Sequence, residues 1–137
     1  MGTLPNYIVG IGGSAGGLIV YKELLDWLPS NTGMAFVIAT HMPAGGNSQL
    51  AEILSRHTKM LVMVASTAMA IQANHVYVSA PNTDLIIENF TFQVTTPRTK
   101  KNAIIDFLFI SLAAAMGARA IGIVLSLGLI KCLCTVQ

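Results

Sequence analysis

Three glycine-based signatures overlap in the stretch VGIGGSAGG, which covers residues 9–17. Residues 12–16 match G-x-S-x-G, the pattern of a nucleophilic serine on a sharp strand-to-helix turn. The same stretch also approximates two glycine loops that bind phosphates, the P-loop and the dinucleotide fingerprint. Each chemistry needs partner residues elsewhere in the chain, and those partners distinguish the three interpretations.

The two phosphate-binding interpretations lack the partners they need. Gly12 and Gly17 have the spacing of a P-loop, but apolar residues follow where Lys and Ser or Thr belong, so that interpretation fails. Gly10, Gly12 and Ala15 fit a relaxed dinucleotide fingerprint, which also requires an acid at the end of the second strand. The second predicted strand ends in Thr-His-Met at residues 40–42. A nucleotide-binding module stays an open alternative.

The serine interpretation has a candidate base. A serine hydroxyl becomes a good nucleophile when a base takes its proton. Ser14 follows the first predicted strand and His41 follows the second, and the carboxyl ends of neighbouring parallel strands share one crevice. The N–H groups of Ala15 and Gly16 begin a helix and can face a developing oxyanion. The alternative is that Ser14 is a turn residue and that His41 ends its strand by chance.

The remaining histidines and the cysteines favour structural roles. His57 is expected to cap the end of a helix, and His75 opens a strand. Cys132 and Cys134 are too close in sequence for an unstrained disulfide and have no His or further Cys nearby. We interpret them as apolar residues of a protein in a reducing, cytoplasmic compartment.

Hydrophobic periodicity predicts one α/β domain over residues 1–137. Most strands are continuously apolar and alternate with helices, which favours a doubly wound, mostly parallel sheet with helices on both faces. DLIIE and FTFQVTT flank Asn89 and predict an antiparallel hairpin at one edge of that sheet. The predicted strands span residues 7–12, 34–40, 61–64, 75–79 and 120–126, and the predicted helices span about 16–28, 47–57 and 103–116.

Composition narrows the functional classes. Hydrophobic residues make up 53% of the 137 residues and charged residues 10%, with a net charge of +2. The basic residues do not interleave with aromatic ones, so nucleic-acid binding has no support. Asp106 and Arg119 divide the longest apolar stretch into pieces shorter than a membrane span. The N-terminus lacks the basic region of a signal peptide.

Several motifs in one order resemble the chemotaxis protein-glutamate methylesterase family, that is, the catalytic domain of CheB-type proteins. The matching stretches lie between Tyr7 and Ser126, and they are VGIGGSAGG, GMAFVIATHMP, LAEILSRHT, NHVYVSAPNTDL and AIGIVLS. The resemblance implies a doubly wound α/β fold and hydrolysis of glutamate methyl esters on the cytoplasmic domains of chemoreceptors. Some members of the family also deamidate receptor glutamines.

The resemblance also assigns roles to residues. It implies Ser14 as the nucleophile, His41 as the general base and the backbone N–H of Ala15 as an oxyanion donor, with no cofactor and no metal. The stretch NHVYVSAPNTDLIIEN is similar to versions fused to methyltransferase and sensor modules, which are further partner candidates.

The chain departs from the family where the third member of the triad belongs. The family carries an aspartate in a segment of the form S-G-x-G-x-D-G after the last strand, whereas this chain continues LGLIKCLCTVQ after Ser126. We therefore expect a domain that is incomplete after about Ser126 and has reduced activity, or a non-catalytic remnant that docks receptors or a methyltransferase. A truncated sheet would also expose an apolar edge and favour homo-oligomers.

The chain's own acids are the candidates to replace that aspartate. Glu23, Asp26 and Glu52 are expected to face solvent, and Asp84 and Glu88 border the predicted hairpin. Asp106 lies near the start of the last predicted helix, where the helix dipole stabilises a carboxylate. Its simpler interpretation is a helix-terminus residue.

Overall fold

A computed structural model of the chain describes residues 2–13, 18–40, 49–97, 103–126 and 129–134, with residues 126 and 129–134 described by their backbone alone. The helices are α1 (Leu18–Trp27), α2 (Leu50–Ser55) and α3 (Ile104–Met116). The strands are β1 (Ile8–Gly13), β2 (Ala35–Thr40), β3 (Leu61–Val64), β4 (His75–Val78), β5 (Asp84–Glu88), β6 (Thr91–Thr95), β7 (Ala120–Ser126) and β8 (Leu129–Cys134). The apolar runs of the sequence predicted the strands from β1 to β7 and all three helices, with small differences at their ends.

The main sheet has the order β3-β4-β2-β1-β7-β8 and is parallel from β3 to β7. The chain leaves β1 toward β2 on one side and returns to its other side at β7. Right-handed crossovers in opposite directions place their helices on opposite faces of a sheet. The described residues therefore confirm the predicted doubly wound α/β fold.

Two buried clusters, one on each face, hold the helices against the sheet. On one face α1 and α2 cover a cluster that includes Val9, Ile11, Phe36 and Ile38 of the sheet. On the other face α3 and the β5–β6 hairpin cover residues of the opposite parity, among them Ile8, Ala35, Val37 and Ala39. Both faces of β1 and β2 are buried, which explains why these strands are continuously apolar.

The β5–β6 hairpin is antiparallel, as the sequence predicted, but it does not extend the edge of the main sheet. Within the described residues it forms a two-stranded sheet of its own. Leu85, Ile87 and Phe92 are buried in the same cluster as α3, and the Ile87 N–H donates to Ser111 Oγ at 3.0 Å. The hairpin is held by this packing because its apolar residues need cover that the edge of a sheet would not give.

The residues after β7 include a strand that the sequence did not predict. β8 pairs antiparallel with β7 over six residue pairs, from Ser126–Leu129 to Ile121–Cys134. The expected exposed edge at β7 is therefore wrong, because the chain itself provides the neighbouring strand. Among the residues whose side chains are described, β3 is an edge strand with exposed apolar residues, namely Leu61, Met63 and Val64. Homo-oligomer formation stays a prediction.

The close approach of α3 to β1 yields a test of the packing. A Cβ on Gly12 would stand 2.7 Å from Ile105 Cγ2, so α3 can approach here because residue 12 has no side chain. We expect Gly12→Ala to lower the free energy of unfolding by about 1–3 kcal/mol through overpacking. Urea denaturation of Gly12→Ala, Ile105→Ala and the double variant measures this effect. The double variant should lose less than the two single variants together, and strictly additive losses would contradict the contact.

Candidate active site at the carboxyl end of the sheet

The two central strands end side by side. Gly13 and Thr40 are register partners at the ends of β1 and β2, and Gly13 is also paired with Leu125 of β7. The next residues of the chain are Ser14 and His41, which lie outside the described residues, as does Ala15. The described backbone thus brings together the two points from which the chain continues into its candidate nucleophile and its candidate base.

The glycine at the end of β1 allows a side chain of α1 to approach the strand closely. A Cβ on Gly13 would collide with the hydroxyl of Tyr21, a residue in the first turns of α1. Helical side chains tilt toward the N-terminus of their helix, so Tyr21 reaches back under the point where the chain leaves β1. Glycine at position 13 is therefore required for this approach.

Two buried hydroxyls at this end of the sheet have no hydrogen-bond partner among the described residues. Tyr21 is 2% exposed and Thr40 is 8% exposed. Across the described part of the chain, neither Tyr21 Oη nor Thr40 Oγ1 has a partner for its hydrogen bonds. Burial raises the pKa of the Tyr21 phenol, so the group stays a neutral donor throughout the range in which proteins function.

Ser79, the residue after β4, forms two hydrogen bonds with the end of β2. The Thr40 N–H donates to Ser79 Oγ at 3.2 Å, and the Ser79 N–H donates to the Ile38 carbonyl at 2.9 Å. These bonds hold Thr40 in place directly before position 41. Sequence reasoning missed the polar contributions of Ser79, Thr40 and Tyr21, because each stands in a run that resembles ordinary core packing.

The other histidines have contacts within the scaffold. The His57 N–H donates to the Leu54 carbonyl at 2.9 Å and closes the last turn of α2, while its ring contacts Asp26 of α1 at 2.9 Å. The ring thus links two helices, whereas the sequence predicted a helix cap. His75 Nδ1 donates to the Ala73 carbonyl at 2.8 Å, and its ring stacks on Tyr77, which confirms a structural role.

The structure describes all six acidic residues and separates them by burial. Asp84 is 2% exposed at the start of β5, whereas the other five acids are exposed, as was expected for Glu23, Asp26 and Glu52. Asp106 lies in the first turn of α3. Because α3 precedes a strand parallel to β1, this turn lies at the carboxyl end of the sheet. The position agrees with the helix-terminus interpretation of Asp106.

Because Asp84 is buried and Asp106 is exposed, we expect Asp84 to contribute more to the free energy of unfolding than Asp106. A buried carboxylate in a folded protein is paired, and weakening its contacts costs about 1–3 kcal/mol. We expect Asp84→Asn to lower the free energy of unfolding by that amount. The matched variant Asp106→Asn should change it by about 1 kcal/mol or less, the scale of a helix-dipole interaction. Urea denaturation measures both, and a larger loss for Asp106→Asn would contradict this assignment.

The described residues contain no cluster that could bind a metal ion and no helix that could cross a membrane. Within those ranges, no three His, Cys, Asp or Glu side chains lie close enough together to hold a metal ion. None of the described helices has the length and hydropathy to cross a membrane.

Comparison with known proteins identifies the family. The profile of the CheB methylesterase family matches residues 9–128. The chain belongs to this family. It is 32% identical over 125 residues to protein-glutamate methylesterase/protein-glutamine glutaminase 2 of Xanthomonas oryzae, covering 87% of this chain and 35% of that protein. It is 28% identical over 123 residues to the corresponding protein 1 of Saccharophagus degradans, covering 87% of this chain and 34% of that protein.

A solved structure supports the same fold. The catalytic domain of the CheB methylesterase of Thermotoga maritima matches with a TM-score of 0.75 at 23% identity, over 88% of this chain and 67% of that one. The chain therefore has the α/β fold of a CheB catalytic domain. It spans about a third of the length of the two curated relatives named above, 35% and 34%.

Proposed function

We propose that this chain is a cytoplasmic protein-glutamate methylesterase that acts through Ser14 and His41 on the cytoplasmic domains of methylated chemoreceptors. The observation that carries the proposal is the register pairing of Gly13 with Thr40, because it joins the exits of the two strands that lead to Ser14 and His41. Family membership supplies the substrate class, glutamate methyl esters, and includes glutamine deamidation as a second reaction.

The reaction follows the chemistry of a serine hydrolase. His41 takes the hydroxyl proton as Ser14 Oγ attacks the ester carbonyl carbon, and the Ala15 N–H stabilises the resulting oxyanion. Collapse of this intermediate breaks the bond to the methoxy group, which leaves as methanol with the proton from His41. Water then attacks the acyl-serine with His41 again as base, and the glutamate carboxylate is released.

We expect the departure from the family's aspartate segment to limit the rate. Residues 127–137 contain no Asp or Glu. In serine proteases the triad acid fixes the tautomer of the histidine, and its replacement lowers turnover by about 10⁴, which corresponds to about 5.5 kcal/mol. We therefore propose a severely reduced rate relative to a family member with the complete triad. The same absence favours a second candidate function, a non-catalytic domain that docks receptors or a methyltransferase.

Methanol release from a methylated chemoreceptor fragment tests the proposal. We expect slow release by the chain and none by Ser14→Ala, because alanine removes the attacking oxygen. Ser55→Ala is the matched control, since Ser55 lies at the exposed end of α2 and its hydroxyl contacts the Glu52 carbonyl. Loss in Ser14→Ala with retention in Ser55→Ala supports hydrolysis. No release by folded chain, together with binding of the receptor fragment, would support the docking function and contradict the esterase.

A further inference from the structure

The outer edge of β3 has no neighbouring strand among the described residues. The order of the main sheet places β3 at one end, where its partner within the described chain is β4. A strand at the edge of a sheet presents unpaired N–H and C=O groups that can pair with another chain. Charged residues and proline commonly protect such an edge, and β3, with the sequence LVMV, contains neither.

The hydrogen bonds beside β3 determine which of its backbone groups face outward. The Ala65 N–H, directly after β3, donates to the Val78 carbonyl of β4 at 2.9 Å. In a parallel ladder, alternate residues of a strand turn both of their backbone groups toward the same neighbour. Met63 has the parity of Ala65 and also bonds toward β4. The N–H and C=O groups of Val62 and Val64 therefore face outward, and each residue offers one donor and one acceptor at the edge.

The side chains along this edge are apolar and partly exposed to water. Leu61 is 63% exposed, Met63 is 37% exposed and Val64 is 39% exposed. Removal of such surface from water favours association. Residues 60–74 contain no Asp, Glu, Lys, Arg or His, so no charge within this stretch opposes the approach of an identical strand.

A second copy of the chain fits this edge in an antiparallel register that pairs both outward-facing residues. When a two-fold axis passes through Met63, Val62 of one copy lies opposite Val64 of the other, and each such pair exchanges two hydrogen bonds. Met63 then lies opposite Met63 of the second copy in the non-hydrogen-bonded position, where side chains are closest. The nearest cation, Lys59, falls opposite Thr67 in this register. Apolar residues of β3 thus meet apolar residues, and like charges do not meet.

We propose that β3 is a self-association surface, at which two copies of this chain pair antiparallel about a two-fold axis at Met63. The pairing joins the two main sheets into one. It does not depend on the proposed function, since the carboxyl ends of the two sheets point in opposite directions. One short strand gives a small contact, so we expect a weak dimer with a dissociation constant on the order of 100 μM.

Paired charge variants at Met63 test the surface and its register together. Sedimentation equilibrium over about 10–1,000 μM should show the chain passing from monomer to dimer by mass action. Met63→Lys and Met63→Glu should each raise the dissociation constant at least about tenfold, because two like charges then meet on the axis. An equimolar mixture of the two variants should regain association, because Lys then faces Glu.

Ile110→Lys is the matched control. Ile110 is an apolar residue of α3 that is 69% exposed and lies outside β3, so its replacement should leave the dissociation constant unchanged. Circular dichroism and urea unfolding show whether each variant is folded. Recovery of association in the mixture excludes unfolding as the cause of the loss in the single variants.

Amide hydrogen exchange resolves the register at single residues. At high concentration the amides of Val62 and Val64 should exchange more slowly, whereas the amide of Met63, which bonds toward β4, should keep its rate. A monomer over the whole concentration range would overturn the inference. So would association that persists in Met63→Lys and Met63→Glu, which would place the contact elsewhere, or a mixture of the two folded variants that stays monomeric.

Discussion

The pairing of β1 with strands on both sides is the constraint on which the rest of the structure depends. β1 is buried throughout and pairs with β2 on one side and β7 on the other. Helices pack closely against both faces of β1 at its glycines, where no side chain stands in the way. Each of these glycines lies next to different helical side chains. Gly10 meets α3 at Phe109 and Leu112, Gly12 meets α3 at Ile105, and Gly13 meets α1 at Tyr21. Helices α1 and α3 consequently pack against opposite faces of β1 at the carboxyl end of the sheet.

The physical rules that sequence patterns express explain which elements could be predicted. Strands buried on both faces are short apolar runs, so β1, β2 and β7 could be predicted. The crevice rule for parallel sheets indicated the ends of β1 and β2 as the candidate site. The position of the hairpin depends on long-range packing of Leu85 and Phe92 against α3, which no local pattern reports. β8 follows a stretch without a recognised turn signal, so its pairing with β7 was missed.

The polar features of the candidate site were missed for a related reason. Tyr21 has the helical spacing of a core residue, and Thr40 ends an apolar strand, so each fits a packing role in the sequence. Whether a buried hydroxyl has a partner depends on the register between strands and on the approach of a helix. The sequence shows neither, whereas the fold places Tyr21 and Thr40 at the carboxyl ends of β1 and β2.

Ancestry and catalytic competence are separate properties of this chain. The family match, the register of β1 with β2 and the glycines at the end of β1 preserve the scaffold of an esterase. Residues 127–137 contain no Asp or Glu, and the buried acid Asp84 belongs to the start of the hairpin. The described scaffold brings the ends of β1 and β2 together, and the residual hydrolysis that we propose is of the kind that serine proteases retain when the triad acid is replaced.

Covalent labelling by a fluorophosphonate tests the central claim, that the ends of β1 and β2 bring Ser14 and His41 together. The account predicts that mass spectrometry of the labelled chain finds the phosphonyl group on Ser14 and that His41→Gln abolishes the labelling, whereas His57→Gln retains it. Labelling of Ser14 at the same rate in His41→Gln, or labelling of another serine, would contradict the account.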